Sequence, residues 1–403
     1  MTNPDPRELP ELAEFRRDTR AWIAEHRPAA PSFVLPQSFL EVETREQFDY
    51  LRAWQGALYR AGLVGFDVPR EYGGQGVSPE RAAVVSQELT RARAPFLVNL
   101  LGLRWAGPTI LAYGTEEQKR RLIPPLLAAD EIWCQGFSEP GSGSDLASLT
   151  TRAEPDGAGG WRVTGHKVWT TMAHVADWMI LLARTGPAKY DGLSYFLFPM
   201  KTDGVRVEPL VKMTGEGGFN QVIFDGAPMP RESLLGQEGQ GWRVAMTTLA
   251  FERGVEGGRE RGAEDLALVW RVADLAARAR RDGAPAIDDP VLADQLVSLW
   301  IEAEAIGVSA LRMRVPGLVA DRPLALPLMH KLVFTELAQR ATRLACQLLG
   351  TEAVLWMGDA RAPDDGDWPR AFLNSYGFTI GGGTSEVQRN ILGERVLGLP
   401  KSK

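Results

Sequence analysis

The chain has 403 residues, 44% hydrophobic and 24% charged, an ordinary globular composition long enough for two or three domains. Its formal net charge of −6 argues against nucleic acid or an anionic membrane as the main partner, while leaving room for local basic pockets. Cys134 and Cys346 have no metal-type spacing and the four histidines form no ligand pair, so we expect two buried reduced thiols and no protein-bound catalytic metal.

Met1 to Pro10 is polar, without an apolar stretch of signal-peptide length. No run approaches the roughly 20 apolar residues of a membrane span, so the expected location is the cytoplasm. Residues 11 to about 130 read as helical, with Leu12, Phe15, Trp22 and Ile23, then Leu51, Trp54 and Leu58, near helical spacing. Pro69 and Tyr72-Gly73-Gly74-Gln75-Gly76 mark a loop, and a helix is expected from about Pro79 to Arg93.

From about Ile132 the pattern changes to period two. Trp161 to Gly165 alternates and ends in a turn, Trp178 to Ala183 and Leu193 to Phe198 are short apolar runs, and Val205 to Val207 and Gln221 to Asp225 complete a compact all-β set. After Gly241 striped helices return: Leu268, Val272, Leu275; then Leu292, Leu296, Leu299, Ala303, Ile306; then Leu337, Ala341, Leu344, Leu348. Pro290 suits the first turn of the second of these. The chain is thus an α+β multidomain protein, with an N-terminal all-α domain over 1–130, a middle β domain over 131–241 and a C-terminal helical bundle over 242–403.

The glycine-rich places fail the nucleotide templates. Gly141-Ser142-Gly143-Ser144-Asp145-Leu146 lacks the third glycine of the dinucleotide fingerprint, and no Gly-Lys-Ser/Thr ending exists. The segment instead gathers Ser138, Ser142 and Ser144 beside Glu139 and Asp145. Hydroxyls and glycine-freed amides of that kind suit a polyanionic or heteroaromatic ligand.

The run from Cys134 to Asp145 resembles the signature of the acyl-CoA dehydrogenase family, and Val163 to Thr171 is similar to that family's second flavin segment. Tyr72 to Gly76, Glu238 to Trp242 and Gly383 to Asn390 match further family segments in order, so the resemblance spans nearly the whole chain. It implies a middle domain that is β-barrel-like, a C-terminal four-helix bundle, one FAD per subunit, an acyl-CoA substrate, a homo-oligomer (dimer or tetramer) and electron-transferring flavoprotein as acceptor. By motif, Ser138 meets the polar edge of the flavin ring, Trp169 lies against it, and the Thr171 hydroxyl reaches its N5 region. Ser144 contacts the pantetheine or CoA, and Thr384 and Glu386 meet the adenosine half of FAD. Ser385 with Gln388 three residues later also reads as a capping box. An arginine that reaches a neighbouring subunit's FAD pyrophosphate corresponds to Arg280 or Arg281.

The family's chemistry needs a carboxylate at the α carbon. Many members place that glutamate where this chain has Gly382. Others, of isovaleryl and long-chain type, place it before an arginine on the helix that opens the C-terminal domain. Leu249-Ala250-Phe251-Glu252-Arg253 matches this second arrangement, with Glu252 as base and Arg253 as the substrate-side arginine. Gly382 keeps an N–H that polarises the thioester carbonyl. Ala250 stands where some relatives have an aspartate for the pantetheine amide. Fold alone does not separate a dehydrogenase from an oxidase, desulfinase or monooxygenase of the same fold, or from a non-catalytic partner subunit. The space at Gly382 favours branched or bulky acyl chains.

Overall fold

The structure, a computed structural model, describes residues 9–36, 38–252, 263–281, 283–312, 315 and 325–401. The chain divides into two compact units, Met1–Glu252 and Arg253–Lys403.

In the first unit, helices α1 (Pro10–His26), α2 (Arg45–Arg60), α3 (Pro79–Arg91), α4 (Gly107–Tyr113) and α5 (Glu116–Ala128) precede the sheet, and α6 (Gly241–Glu252) follows it. Two of them start on capping boxes, Thr44 with Gln47 and Thr115 with Gln118, each satisfying two orphan amides. The turn Gly102–Ala106, just before α4, is π-helical. Pro108 explains it: without an N–H it cannot bond the carbonyl four residues back, and the Gly107 amide bonds Gly102 O five residues back.

Seven strands, β1 (Trp133–Gly136), β2 (Arg152–Pro155), β3 (Trp161–Thr171), β4 (Trp178–Arg184), β5 (Leu193–Pro199), β6 (Val205–Leu210) and β7 (Phe219–Met229), form one mixed sheet. Its order is β1-β4-β2-β3-β7-β6, with β5 also on β4. The unbroken apolar runs of β4 and β5 follow from burial on both faces. Ile180, Leu182, Tyr195 and Leu197 join the core shared with Trp54, Leu58 and Ile110 of the helices. Met179, Leu181, Phe196 and Phe198 face the opposite way, into a second core with Val163, Val222 and Phe224.

In the second unit, α7 (Ala263–Arg278), α8 (Pro290–Arg312), α9 (Ala325–Leu349) and α10 (Asp367–Ile380) pack as a bundle, followed by the short α11 (Ser385–Ile391). The expected stripes meet in one core: Val272 and Leu275, Leu292 to Ile306, and Leu337 to Leu348 close around Trp368. Pro290 opens α8 as expected. Cys134 is buried, but Cys346 is only half-buried, because it lies at the edge of the stripe that α9 turns to the core.

Candidate active site

Five parts of the chain carry the expected site residues, three in the first unit or at its end and two in the second. The first is the loop after β1. Its backbone is tied to β3 by the Val168 amide, which donates to Ser138 O at 2.9 Å, and the loop closes on itself through Glu139 and Ser142. Beneath it lies a charge pair: Lys167 Nζ, fully buried, donates to Glu139 Oε1 at 2.9 Å and to Phe137 O at 3.0 Å. The Glu139 carboxylate also accepts from the amide and hydroxyl of Thr150 and the amide of Thr151, at 2.7, 2.8 and 2.8 Å.

Burial alone would raise the Glu139 carboxyl. The Lys167 charge and the hydrogen bonds of Thr151, Lys167 and Thr150 outweigh it and hold the group down to about 2. Burial pulls the Lys167 ammonium down to about 8 against the opposing attraction of Glu139. The pair is a structural clamp on the loop. Ser138 sits half-buried above it, and its hydroxyl has no hydrogen-bond partner among the described residues. Ser144 is exposed on the outer turn, which Ser142 Oγ holds by donating to Asp145 O at 2.8 Å.

The second part is the end of β3. Between Lys167 and Thr170 the register with β7 shifts, so that Val168 and Trp169 stand opposite Gln221 alone. Trp169 takes φ +58°, the left-handed region that a bulky residue adopts only under strain. The residue is 62% exposed, its ring supported edge-on by Phe219 at 6.0 Å. Thr171, two residues on and buried, also has no hydroxyl partner among the described residues.

The third part is Glu252, the last described residue of α6. It is half-buried and stands one turn after Thr248, on the face that α6 turns into the first unit. Arg253 lies outside the described residues.

The fourth part is the turn between α10 and α11. Gly382 and Gly383 take φ +66° and +90°. The carbonyls of this turn are fixed from two sides: Gln388 Nε2 donates to Gly382 O at 2.7 Å and Lys331 Nζ to Gly383 O at 2.7 Å. The Gly382 N–H has no hydrogen-bond partner among the described residues. The capping box expected of Ser385 and Gln388 does not form. The N-cap is Thr384, one residue earlier, whose Oγ accepts from the Val387 amide at 3.2 Å, and Gln388 turns back to the glycine carbonyl instead. Exposed Glu386 lies in the first turn of α11, its carboxyl held below the usual range by its own amide and the Thr384 hydroxyl.

Arg280 and Arg281, the fifth part, do not continue α7. They pair with Ala284 and Pro285 in a small hairpin, both exposed. Arg281 Nη1 lies 3.6 Å from Asp289 Oδ2, whereas Arg280 has no acidic partner among the described residues.

In the first unit, an exposed indole held at a conformational cost, with open hydroxyls on the same strand end and loop, suits a flat heteroaromatic cofactor; in the second, a glycine turn presents a backbone N–H. The comparisons say which class of protein carries these features. Residues 10–130, 134–227 and 239–397 match the models of the acyl-CoA dehydrogenase N-terminal, middle and C-terminal domains. The chain belongs to the acyl-CoA dehydrogenase family. It is 38% identical over 395 residues to acyl-CoA dehydrogenase IpdE1 of Mycobacterium tuberculosis, covering 98% of this chain and 99% of that one. The ChsE4-ChsE5 complex from the same organism is similar in structure, with a TM-score of 0.79 and 30% identity, over 99% of this chain and 100% of that one. The Tcur3481-Tcur3483 steroid ACAD has a TM-score of 0.80 and 28% identity, over 99% and 100%.

The protein is therefore an FAD flavoprotein and an oxidoreductase acting on the CH–CH groups of acyl-CoA thioesters. The residues present fit that cofactor. Trp169 offers an aromatic face, Ser138 and Thr171 offer unsatisfied hydroxyls, and the buried Ser385 Oγ beside the glycine turn has no partner among the described residues. Sequence reasoning missed the Glu139–Lys167 pair and Lys331. A lysine at an inward-facing position of a strand pattern was the available signal for the pair. Lys331 left none, because it sits mid-helix like any solvated lysine.

Proposed function

We propose that this enzyme removes the α proton and the β hydride of a bulky acyl-CoA, with Glu252 as the base, to give the trans-2-enoyl-CoA. The observation that carries the reading is the turn at Gly382. This position has no side chain, and its φ of +66° is one that a glutamate would adopt only at a cost of about 1–2 kcal/mol. The base must then come from elsewhere, and Glu252 occupies the family's alternative place on a helix face turned into the protein.

Glu252 would take the proton, and the open Gly382 N–H would donate to the thioester oxygen as negative charge builds there. Trp169 would hold the ring of the cofactor, with the Thr171 and Ser138 hydroxyls at its edge and Thr384 and Glu386 near its adenosine half. FAD, when bound, supplies the acceptor for the β hydride at N5. Ser144 and Arg253 would hold the CoA side. Arg280, free of an acidic partner among the described residues, is the better of the two arginines for the pyrophosphate. The reading extends to a cytoplasmic location, in keeping with the finding that no described helix is long and apolar enough to cross a membrane. It also takes electron-transferring flavoprotein as the acceptor.

The bulky acyl group is supported by the side-chain-free Gly382 and by the similarity to a steroid ACAD. A panel of butyryl-, octanoyl-, isovaleryl- and cholyl-CoA, read by anaerobic flavin reduction, tests it. Fastest reduction by cholyl-CoA is expected, and fastest reduction by butyryl-CoA would overturn the size assignment. Glu252→Gln should lower turnover about 10²–10⁴-fold with flavin content retained. Near-normal turnover would remove Glu252 as base. A second reading, that the chain works beside a different subunit, draws on the two-chain assemblies of its structural neighbours. Purification alone separates the two: a yellow, active single-chain oligomer excludes it.

A further inference from the structure

The core of the first unit contains a chain of hydroxyls that packing does not require. Thr109 on α4, Tyr195 on β5 and Thr248 on α6 are each fully buried, among Ile110, Leu197, Val244 and other apolar side chains. Thr109 Oγ donates to Trp105 O in the π-helical turn at 2.6 Å. Its single proton is then used, so Thr109 can only accept at its 3.0 Å contact with Thr248, whose one proton is shared between Thr109 Oγ and Val244 O at 3.1 Å. The Thr248 oxygen in turn accepts from the Tyr195 phenol at 3.0 Å. Burial pushes that phenol up, which keeps it a donor. Tyr195, Thr248 and Thr109 thus form one hydroxyl cluster that joins three elements and ends on the carbonyls of Trp105 and Val244.

The same helix is tied at its start and on a neighbouring face. Ser194 Oγ accepts from the Gly239 amide at 2.9 Å, and a Cβ on Gly241 would come within 2.5 Å of the Ser194 backbone, so β5 and the entry to α6 touch directly. Tyr113 and Thr247 share a hydrogen bond of 2.9 Å. Valine and phenylalanine would fill the space of Thr248, Thr109 and Tyr195 nearly as well. What hydroxyls add over apolar groups is a defined rotation and height for the helix. The residue one turn beyond Thr248, about 6 Å along the axis, is Glu252.

We propose that Tyr195, Thr248 and Thr109 are positioning residues that set where α6 delivers the Glu252 carboxylate. The inference rests on the reading of Glu252 as base. A misplacement near 1 Å lowers the rate of a proton transfer by roughly 100-fold without loosening substrate binding.

The test uses the FAD-loaded enzyme and the panel member with the highest kcat/KM, with and without deuterium on its α carbon. Thr248→Val and Tyr195→Phe should lower kcat roughly 10- to 100-fold. KM, flavin content and Tm should stay near wild type, the α-deuterium isotope effect on kcat should rise, and Thr248→Ser should restore the rate. Crystal structures of wild type and Thr248→Val should show the Glu252 carboxylate displaced by more than about 0.5 Å relative to β5. Wild-type kcat and isotope effect in Thr248→Val, or an unmoved carboxylate, would overturn the inference. Retained turnover in Glu252→Gln would instead sink the base assignment, so the two failures are distinguishable.

Discussion

The loop at 137–145 with the end of β3, in the first unit, and the turn at 381–384, in the second, carry the residues that we propose face the cofactor. They are held by different means. The first rests on side-chain charge: a buried lysine and glutamate, 28 residues apart, lock the loop to the strand. The second rests on backbone: two glycines in the left-handed region, a threonine cap, and two side chains, Gln388 and Lys331, that donate to its carbonyl oxygens. A site built on buried charge is vulnerable to losing one partner, whereas a site built on backbone is vulnerable to gaining a Cβ.

Lys167→Met should give the largest effect, because it strands the Glu139 carboxylate in the interior. We expect a loss of about 3–5 kcal/mol and of bound flavin, whereas the double change Glu139→Gln with Lys167→Met should recover most of the stability. Denaturant unfolding with flavin absorbance checks both. If the single variant were as stable as the double, the clamp would not be what organises the loop.

The same pair sets an acid limb. Glu139 is depressed from the ordinary carboxyl value of 4.5 to about 2, so its contribution to stability is fully present above about 4.5. It is lost as pH falls from there towards 2, as the folded state is forced to take up a proton. Tm measured between pH 5 and 2 should fall less steeply in the double variant than in wild type.

At the second segment, Gly382→Ala should cost about 1–2 kcal/mol through backbone strain and lower turnover, while leaving the acid limb unchanged. For the same reason Gly382→Glu should restore little activity to Glu252→Gln. Substantial rescue would show that the turn tolerates a side chain. The smallest effect separates strain from function within the first segment. Trp169→Gly should raise the stability of the flavin-free protein by about 1 kcal/mol by relieving the left-handed backbone, yet weaken flavin retention. A drop in flavin-free stability would mean that the indole is there for packing.

The candidate site residues could be proposed from the sequence because they lie in short ordered runs: Ser138 and Ser144 in one, Trp169 and Thr171 in another, Thr384 and Glu386 in a third. What holds each residue was not readable. The capping pattern at Ser385 and Gln388 fits the local rule, but Thr384 caps, because the glycine turn brings the chain in one residue earlier and claims Gln388 for itself. The series of Arg278 to Arg281 looks like a helix end, and only the hairpin with Ala284 and Pro285 separates a paired Arg281 from Arg280.

By itself the sequence determined the helix–sheet–helix order, the cores of the two units and the family, because periodicity and short motifs are local properties of a chain. The tertiary structure alone decided that Lys167 meets Glu139, that a bulge turns Trp169 outward, that Gly382 is left-handed, and that three distant hydroxyls converge on α6. Each of these depends on register and on partners far apart in the chain, set only when strands pair and helices dock.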